Sequence, residues 1–260
     1  MSVRSWGFSL AERRSPALED TGKLAEVLEL EAVELPGAIL GRLEVTTLLK
    51  KRNGKQLAFS RILDSSLARQ AAELEGKLGY DFMTHFAKQT ELARSLGAER
   101  VEIDPDLARI PGNPEYRAKV SRLIRALYAP YQGAPLRMAL PLRLPQAGTG
   151  VTEAELAAAL RDLMLPELEL SLELHIHEVH FNDEFAEKLD AFKYCTGAVR
   201  VVYEPELGNA PTIQQLKPLI HRLEYWQREV DIYLAPVHTR AETSEAELER
   251  YLRLADRSNY

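Results

Sequence analysis

The sequence predicts a single β/α barrel, a closed parallel sheet of about eight strands wrapped by helices. Three observations lead there. Short β-rich runs alternate with long amphipathic stretches along the chain. About eight of those runs can be counted as strands, the number such a barrel needs. The length of 260 residues also matches a barrel of about 250 residues built as one unit. No Ser/Gly-rich linker, composition shift or low-complexity segment divides residues 1–260, so one domain is expected.

The expected strands cover residues 3–10, 32–37, 42–49, 100–104, 136–144, 169–179, 199–206 and 230–237. Helices are expected over 17–30, 65–96, 114–128, 153–163, 184–192, 213–227 and 244–255. Ser65 and Ser66 offer N-caps to the long helix, and Gly97 follows it as a stop. Asn113-Pro114-Glu115 reads as a helix start with proline in the first turn. Thr152 and Glu155 have the spacing of a capping box. Short linkers between strands and helices imply parallel strands joined by right-handed crossovers. Little room separates the second and third strand candidates, so the second helix is expected to be short or missing. Residues 50–55 (Lys-Lys-Arg-Asn-Gly-Lys) contain the Asn53-Gly54 pair favoured in tight hairpins. Strand three is therefore expected to continue into a hairpin over the barrel mouth, whose basic run is either a solvated turn or a grip for a phosphate or other anion.

Composition narrows the functional classes. A hydrophobic fraction of 45% and a charged fraction of 28% are ordinary for a core-forming domain. The net charge of −6 argues against a dedicated nucleic-acid binder, which normally carries a basic field. Cys195 is the sole cysteine, so neither an intrachain disulfide nor a thiolate metal cluster can form. No apolar run approaches the roughly 20 residues that span a bilayer, and residues 1–14 hold no apolar stretch of signal-peptide length. A cytoplasmic protein without membrane partners is expected. There is no Gly-rich phosphate loop, dinucleotide fingerprint or nucleophile elbow.

The most informative pattern lies within the strands, whose side chains point to opposite faces with period two. From Leu170 to His177 one face reads Leu, Leu, Leu, Ile and the other Ser171, Glu173, His175, His177. If the apolar face meets the helices, the polar face points into the barrel. The same rule sends Glu34, Glu102, Asp104, Arg137, Arg143, Arg200, Glu204, Glu206, Asp231 and Tyr233 inward, with Glu44 and Thr46 from the third strand candidate. Unpaired burial of such groups costs several kcal/mol each, so they must form a paired network or surround a ligand, solvent or a metal. Barrel active sites are built at the C-terminal strand ends, where Asp104, Arg143, His175, His177, Glu204, Glu206 and Tyr233 would gather. Two histidines at i and i+2, with a carboxylate such as Glu204 nearby, can share a divalent metal. The run from His175 to His180 is not an HExxH zinc motif, because it lacks that order and its helical spacing.

Three phrases carry a family resemblance. Residues 32–37 (Ala-Val-Glu-Leu-Pro-Gly) resemble the second strand of the xylose isomerase-like barrels. Residues 92–101 (Leu-Ala-Arg-Ser-Leu-Gly-Ala-Glu-Arg-Val) are similar to that family's third helix running into strand four, and Leu172-Glu173-Leu174-His175 falls where a ligand-bearing strand would lie. The resemblance implies a sugar or sugar-phosphate isomerase or epimerase with a divalent metal at the rim. On that reading His175, His177 and Glu204 hold the metal, Asp104 or Glu206 moves the proton, Arg143 grips a sugar-like or anionic substrate, and Tyr233 joins them. The pattern is degenerate. Strand five lacks the family's terminal Glu, strand six lacks its Asp-x-x-His, and the last strand runs into Val237-His238 rather than Glu. A metal-free barrel that binds a small molecule without catalysis is the alternative, and an endonuclease on the same fold is a third reading.

Overall fold

A computed structural model describes residues 3–10, 30–52, 55–63, 65–73, 77–144, 152–161, 163, 168–179, 182–208 and 210–237. Its strands are β1 (Val3–Ser9), β2 (Ala32–Pro36), β3 (Gln56–Leu63), β4 (Arg100–Ile103), β5 (Arg137–Leu144), β6 (Leu168–His175), β7 (Thr196–Tyr203) and β8 (Val230–Pro236). They close in sequence order, every neighbouring pair is parallel, and β1 pairs with β8. The described helices are α1 (Leu43–Leu49), α2 (Ser65–Glu73), α3 (Lys77–Ser95), α4 (Pro114–Tyr128), α5 (Glu153–Arg161), α6 (Asp183–Lys188) and α7 (Ile213–Tyr225). The chain is thus a β/α barrel of the expected class. The helices expected over 17–29 and 244–255 lie outside the described residues.

Helix starts follow the local chemistry. Asn113 accepts a hydrogen bond from the Tyr116 amide, with Pro114 opening α4. At α5, Glu155 donates its amide to Thr152 Oγ1 while its carboxylate accepts from the Thr152 amide. Thr212 and Gln215 form a second capping box at α7. Gly97 ends the α3 region with φ +80°, a left-handed conformation that glycine adopts without a Cβ penalty.

The third unit departs from expectation. Residues 43–49, read as a strand, form α1. Val45 and Leu49 are buried four residues apart, as one helix face requires, while Glu44 is exposed and pairs with Arg42. The hydroxyls of Thr46 and Thr47 bond back to the carbonyls of Arg42 and Leu43. Helical packing overrides the β-propensity of this threonine-rich run, and Glu44 and Thr46 do not line the barrel. The true third strand begins at Gln56, opposite Ala32 at the start of β2. Residues 50–52 and Lys55 therefore lie at the N-terminal face of the barrel, away from the mouth. There Arg52 donates to the Gln56 and Leu30 carbonyls, both at 2.8 Å. Asn53 and Gly54, on which the hairpin reading rested, lie outside the described residues. The single long helix expected over 65–96 is two, α2 and α3.

Outward residues of the strands (Leu35, Phe59, Val101, Leu140, Leu172, Val199 and Ile232 among them) are fully buried against the helices. Inside the barrel the apolar cluster shrinks to Ala32, Ala198 and Tyr233. Space for the Tyr233 ring comes from Gly7 opposite it on β1, where a Cβ would stand 2.5 Å from the ring and 3.1 Å from the Ala32 methyl. Gly7→Ala should lower stability by about 1–3 kcal/mol in denaturant melts, through overpacking. Adding Tyr233→Leu should recover part of that loss, whereas a backbone effect at Gly7 would leave it unrelieved.

Candidate functional site

The inward face of the sheet carries a continuous chain of alternating charges. Near the N-terminal face, Arg137 on β5 bonds both oxygens of Glu169 on β6 at 3.1 and 3.0 Å and lies 3.6 Å from Asp231 on β8. Asp231 also accepts from Ser5 at 2.7 Å and from Arg100 at 3.3 Å. Arg100, on β4, reaches on to Glu34 of β2 at 3.3 Å, and its guanidinium carbon stands 5.0 Å from the centre of the Tyr233 ring. Glu34 is clasped by Arg200 of β7 through two bonds of 2.7 Å and accepts a third from Ser9. Arg200 bonds Glu102 of β4 at 2.7 Å and Glu173 of β6 at 2.5 Å. Glu173 then meets Arg61 of β3 at 2.7 Å, and Arg61 lies 3.6 Å from Asp104 just beyond β4.

Arg61 was invisible to the strand reading because β3 was misplaced. It sits in a bulge, where the β3–β4 register slips between Phe59 and Leu63, and it takes φ +46°. Such a left-handed residue in a strand costs of order 1–3 kcal/mol and is characteristic of sites where a bulge re-aims a side chain. The bulge is matched by Gly37, whose absent Cβ would fall 2.5 Å from the Ile62 Cα.

Above this bulge opens a pocket of about 330 Å³ at the C-terminal end of the barrel. Its charged lining is Arg61, Asp104, Asp106, Arg143, Glu173 and His175, with Leu107, Ala108, Pro141 and Leu142 completing the wall. Asp104 accepts from the Asp106 amide at 3.0 Å, and burial raises its pKa. Asp106 takes φ +56°, a second left-handed residue beside the pocket. Burial, helped by the Arg143 charge, pushes the His175 pKa down, which keeps its imidazole neutral near pH 7. Arg143 bonds Glu178, in the turn that follows the neighbouring strand β6.

Of the candidate residues, the structure brings Asp104, Arg143 and His175 together at this pocket. Tyr233 does not reach the rim, being enclosed lower in the barrel beside Arg100 and Ala32. His177 lies in the turn after β6, which ends at His175 rather than 179. The two rings meet edge to face at 5.7 Å, and His177 is 3.6 Å from Glu178. Glu204 and Glu206 lie past the end of β7, Glu204 capping and Glu206 inside the 3-10 turn Pro205–Leu207. The Glu206 side chain, His180 and His238 are outside the described residues. Among the described residues no group of three or more His, Cys, Asp or Glu side chains is placed to hold a metal ion, so the donor set His175, His177 and Glu204 does not fit one.

Comparison with solved structures recovers this architecture throughout the chain. A D-tagatose 3-epimerase-like protein aligns with 15% identity and a TM-score of 0.63, covering 98% of this chain and 100% of the other. D-psicose 3-epimerase from Clostridium cellulolyticum H10, solved with D-tagatose, aligns with 10% identity, 96% and 99% coverage and a TM-score of 0.66. The chain shares its closed β/α-barrel fold with these proteins. A family 2 AP endonuclease from Brucella melitensis aligns with 14% identity, 95% and 98% coverage and a TM-score of 0.65. No family model matches the sequence, and no curated protein does. No described helix is long and apolar enough to cross a membrane.

Two neighbours of Arg200 titrate in opposite directions. Burial alone would raise the Glu34 pKa, but Arg200 and Arg100 outweigh it and hold the carboxylate at about 2. Burial wins at Glu102, whose pKa is raised: with the neighbouring Glu34 charge it outweighs Arg200, Arg100 and the hydrogen bond with Ser171. Glu34 thus contributes stability that is present above its unfolded pKa of about 4.5 and is lost as pH falls towards 2. Glu102 has the opposite sign, favouring the folded state at low pH and less so as pH rises through its shifted value. At pH 7, Glu34→Gln should cost about 3–5 kcal/mol in denaturant melts and flatten the acid limb of stability between about pH 4.5 and 2. Glu102→Gln should be neutral or stabilising; equal losses for the two variants would contradict this assignment.

Proposed function

We propose that the rim pocket binds a small polyhydroxylated, sugar-like molecule and moves a proton on it, as an isomerase or epimerase does. The observation that carries this reading is the convergence of a neutral imidazole, a carboxyl whose pKa burial raises and two guanidiniums (His175, Asp104, Arg61 and Arg143) on one pocket at the end of the barrel where barrel enzymes build their sites. Its volume lies at the small end of the ordinary range of about 300–1,000 Å³ for ligand pockets. The epimerases with this fold, one of them solved with D-tagatose, support the substrate class.

The chemistry follows from the protonation states. Neutral His175 can take a proton from a carbon next to a carbonyl, and Asp104, its pKa raised by burial, can deliver one to the developing oxyanion. Arg61 and Arg143 supply fixed N–H donors where that negative charge grows. Asp106 and the Glu173 carboxylate offer acceptors for substrate hydroxyls. Since the donor set for a metal does not fit, no step in this scheme passes through one.

The test is solvent exchange. In D2O, the protein should introduce deuterium at the carbon beside the carbonyl in at least one member of a panel of ketoses and aldoses, read by NMR. His175→Gln and Asp104→Asn should each slow that exchange by about 10²–10⁴-fold while melting at temperatures close to the parent. If no panel member binds or exchanges, the reading fails. The acid limb of the rate should fall below pH 6.5, since the base works only when deprotonated and burial lowers its pKa.

A further inference from the structure

The segment that leaves β4 forms one wall of the rim pocket, through Asp104, Asp106, Leu107 and Ala108. A buried tyrosine from the next helix reaches back to hold it. Tyr116, in the first turn of α4, donates its hydroxyl to the Pro105 carbonyl. The tyrosine is itself fixed at both ends. Its amide donates to Asn113 at 3.0 Å, and the Arg109 guanidinium covers its ring at 4.8 Å. Burial raises the Tyr116 pKa, and the Asp106 charge adds to the rise, so the phenol keeps the proton it donates.

The carbonyl that accepts from Tyr116 belongs to the same peptide group as the Asp106 amide. That group is planar, and in its trans form the C=O and N–H point in opposite directions. The amide donates to Asp104 Oδ1 at 3.0 Å. Tyr116 and Asp104 are therefore joined by two hydrogen bonds with one rigid plate between them. A donor at the carbonyl end polarises the plate, strengthens the amide as a donor and fixes its tilt. The tilt needs fixing, because Asp106 takes φ +56°, which a residue other than glycine keeps only where its surroundings enforce it. Arg69 of α2 holds Asp106 from the other side, donating to its carboxylate at 3.3 Å. With Oδ1 engaged as an acceptor, the proton of the neutral Asp104 carboxyl sits on Oδ2, which lies 3.6 Å from Arg61 Nε.

We propose that Tyr116 is a positioning residue for Asp104, acting through the Pro105–Asp106 peptide to aim the carboxyl that delivers the proton. Delivery to a sugar rests on the isomerase reading of the pocket, whereas the relay itself does not. Several groups bear on the Asp104 carboxyl. Burial raises its pKa, the Asp106 amide and Arg61 of β3 work against that rise, and the charges of Glu173 on β6 and of Asp106 add to it. Arg143 of β5 and His175 of β6 complete the charged wall. Tyr116→Phe leaves all of these charges in place and removes only the hydroxyl.

The experiment is a titration of the full chain labelled with ¹³C at the aspartate carboxyls, read by NMR without substrate, with the Asp104 signal identified by its loss in Asp104→Asn. In Tyr116→Phe, Asp104 should titrate about 0.5–1 pH unit higher than in the native protein, because the amide that favours the carboxylate is no longer held. Arg69→Met should move the same signal in the same direction. With any sugar that exchanges, Tyr116→Phe should lower kcat by about 10-fold or more and leave KM unchanged. The acid works only while protonated, so the alkaline limb of the rate should move up with the titration. An unmoved or lowered Asp104 titration in folded Tyr116→Phe overturns the proposal. If that variant does not fold, Arg69→Met decides in the same way, and if neither folds the two residues hold the barrel rather than Asp104 and the proposal is overturned. Failure of every sugar to exchange with the native protein would remove the isomerase reading alone, since the titration decides the relay by itself.

Discussion

The clasp of Arg200 by three carboxylates is the interaction on which the rest of this barrel depends. Barrels of this kind are commonly filled by layers of branched aliphatic side chains contributed by alternate strands. Here the inward positions of β2, β4, β6 and β7 carry Glu34, Glu102, Glu173 and Arg200, and a single guanidinium joins all four strands. Each ion would be costly to bury alone, so removing Glu34 or Arg200 strands the other. The filling is therefore specific in a way that an oily one is not. A shift of one strand by a residue would turn its charge out towards the helices and leave its partners unanswered.

The clasp also sets up the pocket. Glu173 is shared between Arg200 below and Arg61 above, so the innermost ion pair is continuous with the floor of the rim pocket. The bulge in β3 aims Arg61 at that shared carboxylate, and Gly37 gives the bulge room. Asp104 then lies at the open end of the chain, near enough to Arg61 to feel its charge and buried enough for its pKa to rise. The residues proposed to do chemistry are thus the last members of a structural network and rest on its geometry.

Much of this was legible in the sequence. Period-two alternation placed Glu34, Glu102, Glu173, Arg200 and Asp231 inside, because the pleat leaves a strand residue only two faces and the apolar face must meet helices. Where alternation ran past the real strand ends it misled: β6 stops at His175 and β7 at Tyr203, so His177, Glu204 and Glu206 fall in turns. Strand three was lost because Val45, Thr46 and Thr47 favour strands locally, while helical burial of Val45 and Leu49 decides the outcome. Residues 57–60 (Leu-Ala-Phe-Ser) did alternate apolar with small, and that was the available signal for β3. Nothing in a period-two reading could supply Arg61, since a bulge breaks the period that the reading assumes. Tyr233 was placed on the correct face but at the wrong height, because parity gives the face of the sheet and not the depth in the barrel.

The most direct measurement of the central claim is a double-mutant cycle between Glu34 and Arg200, using Glu34→Gln, Arg200→Met and the pair, with unfolding free energies at pH 7. If these side chains are one buried, mutually dependent unit, the coupling should reach at least about 2 kcal/mol, with the double variant less damaged than the sum of the singles. Additivity to within about 0.5 kcal/mol would contradict the account, because the two charges would then be buried independently and the barrel would owe its filling to something else.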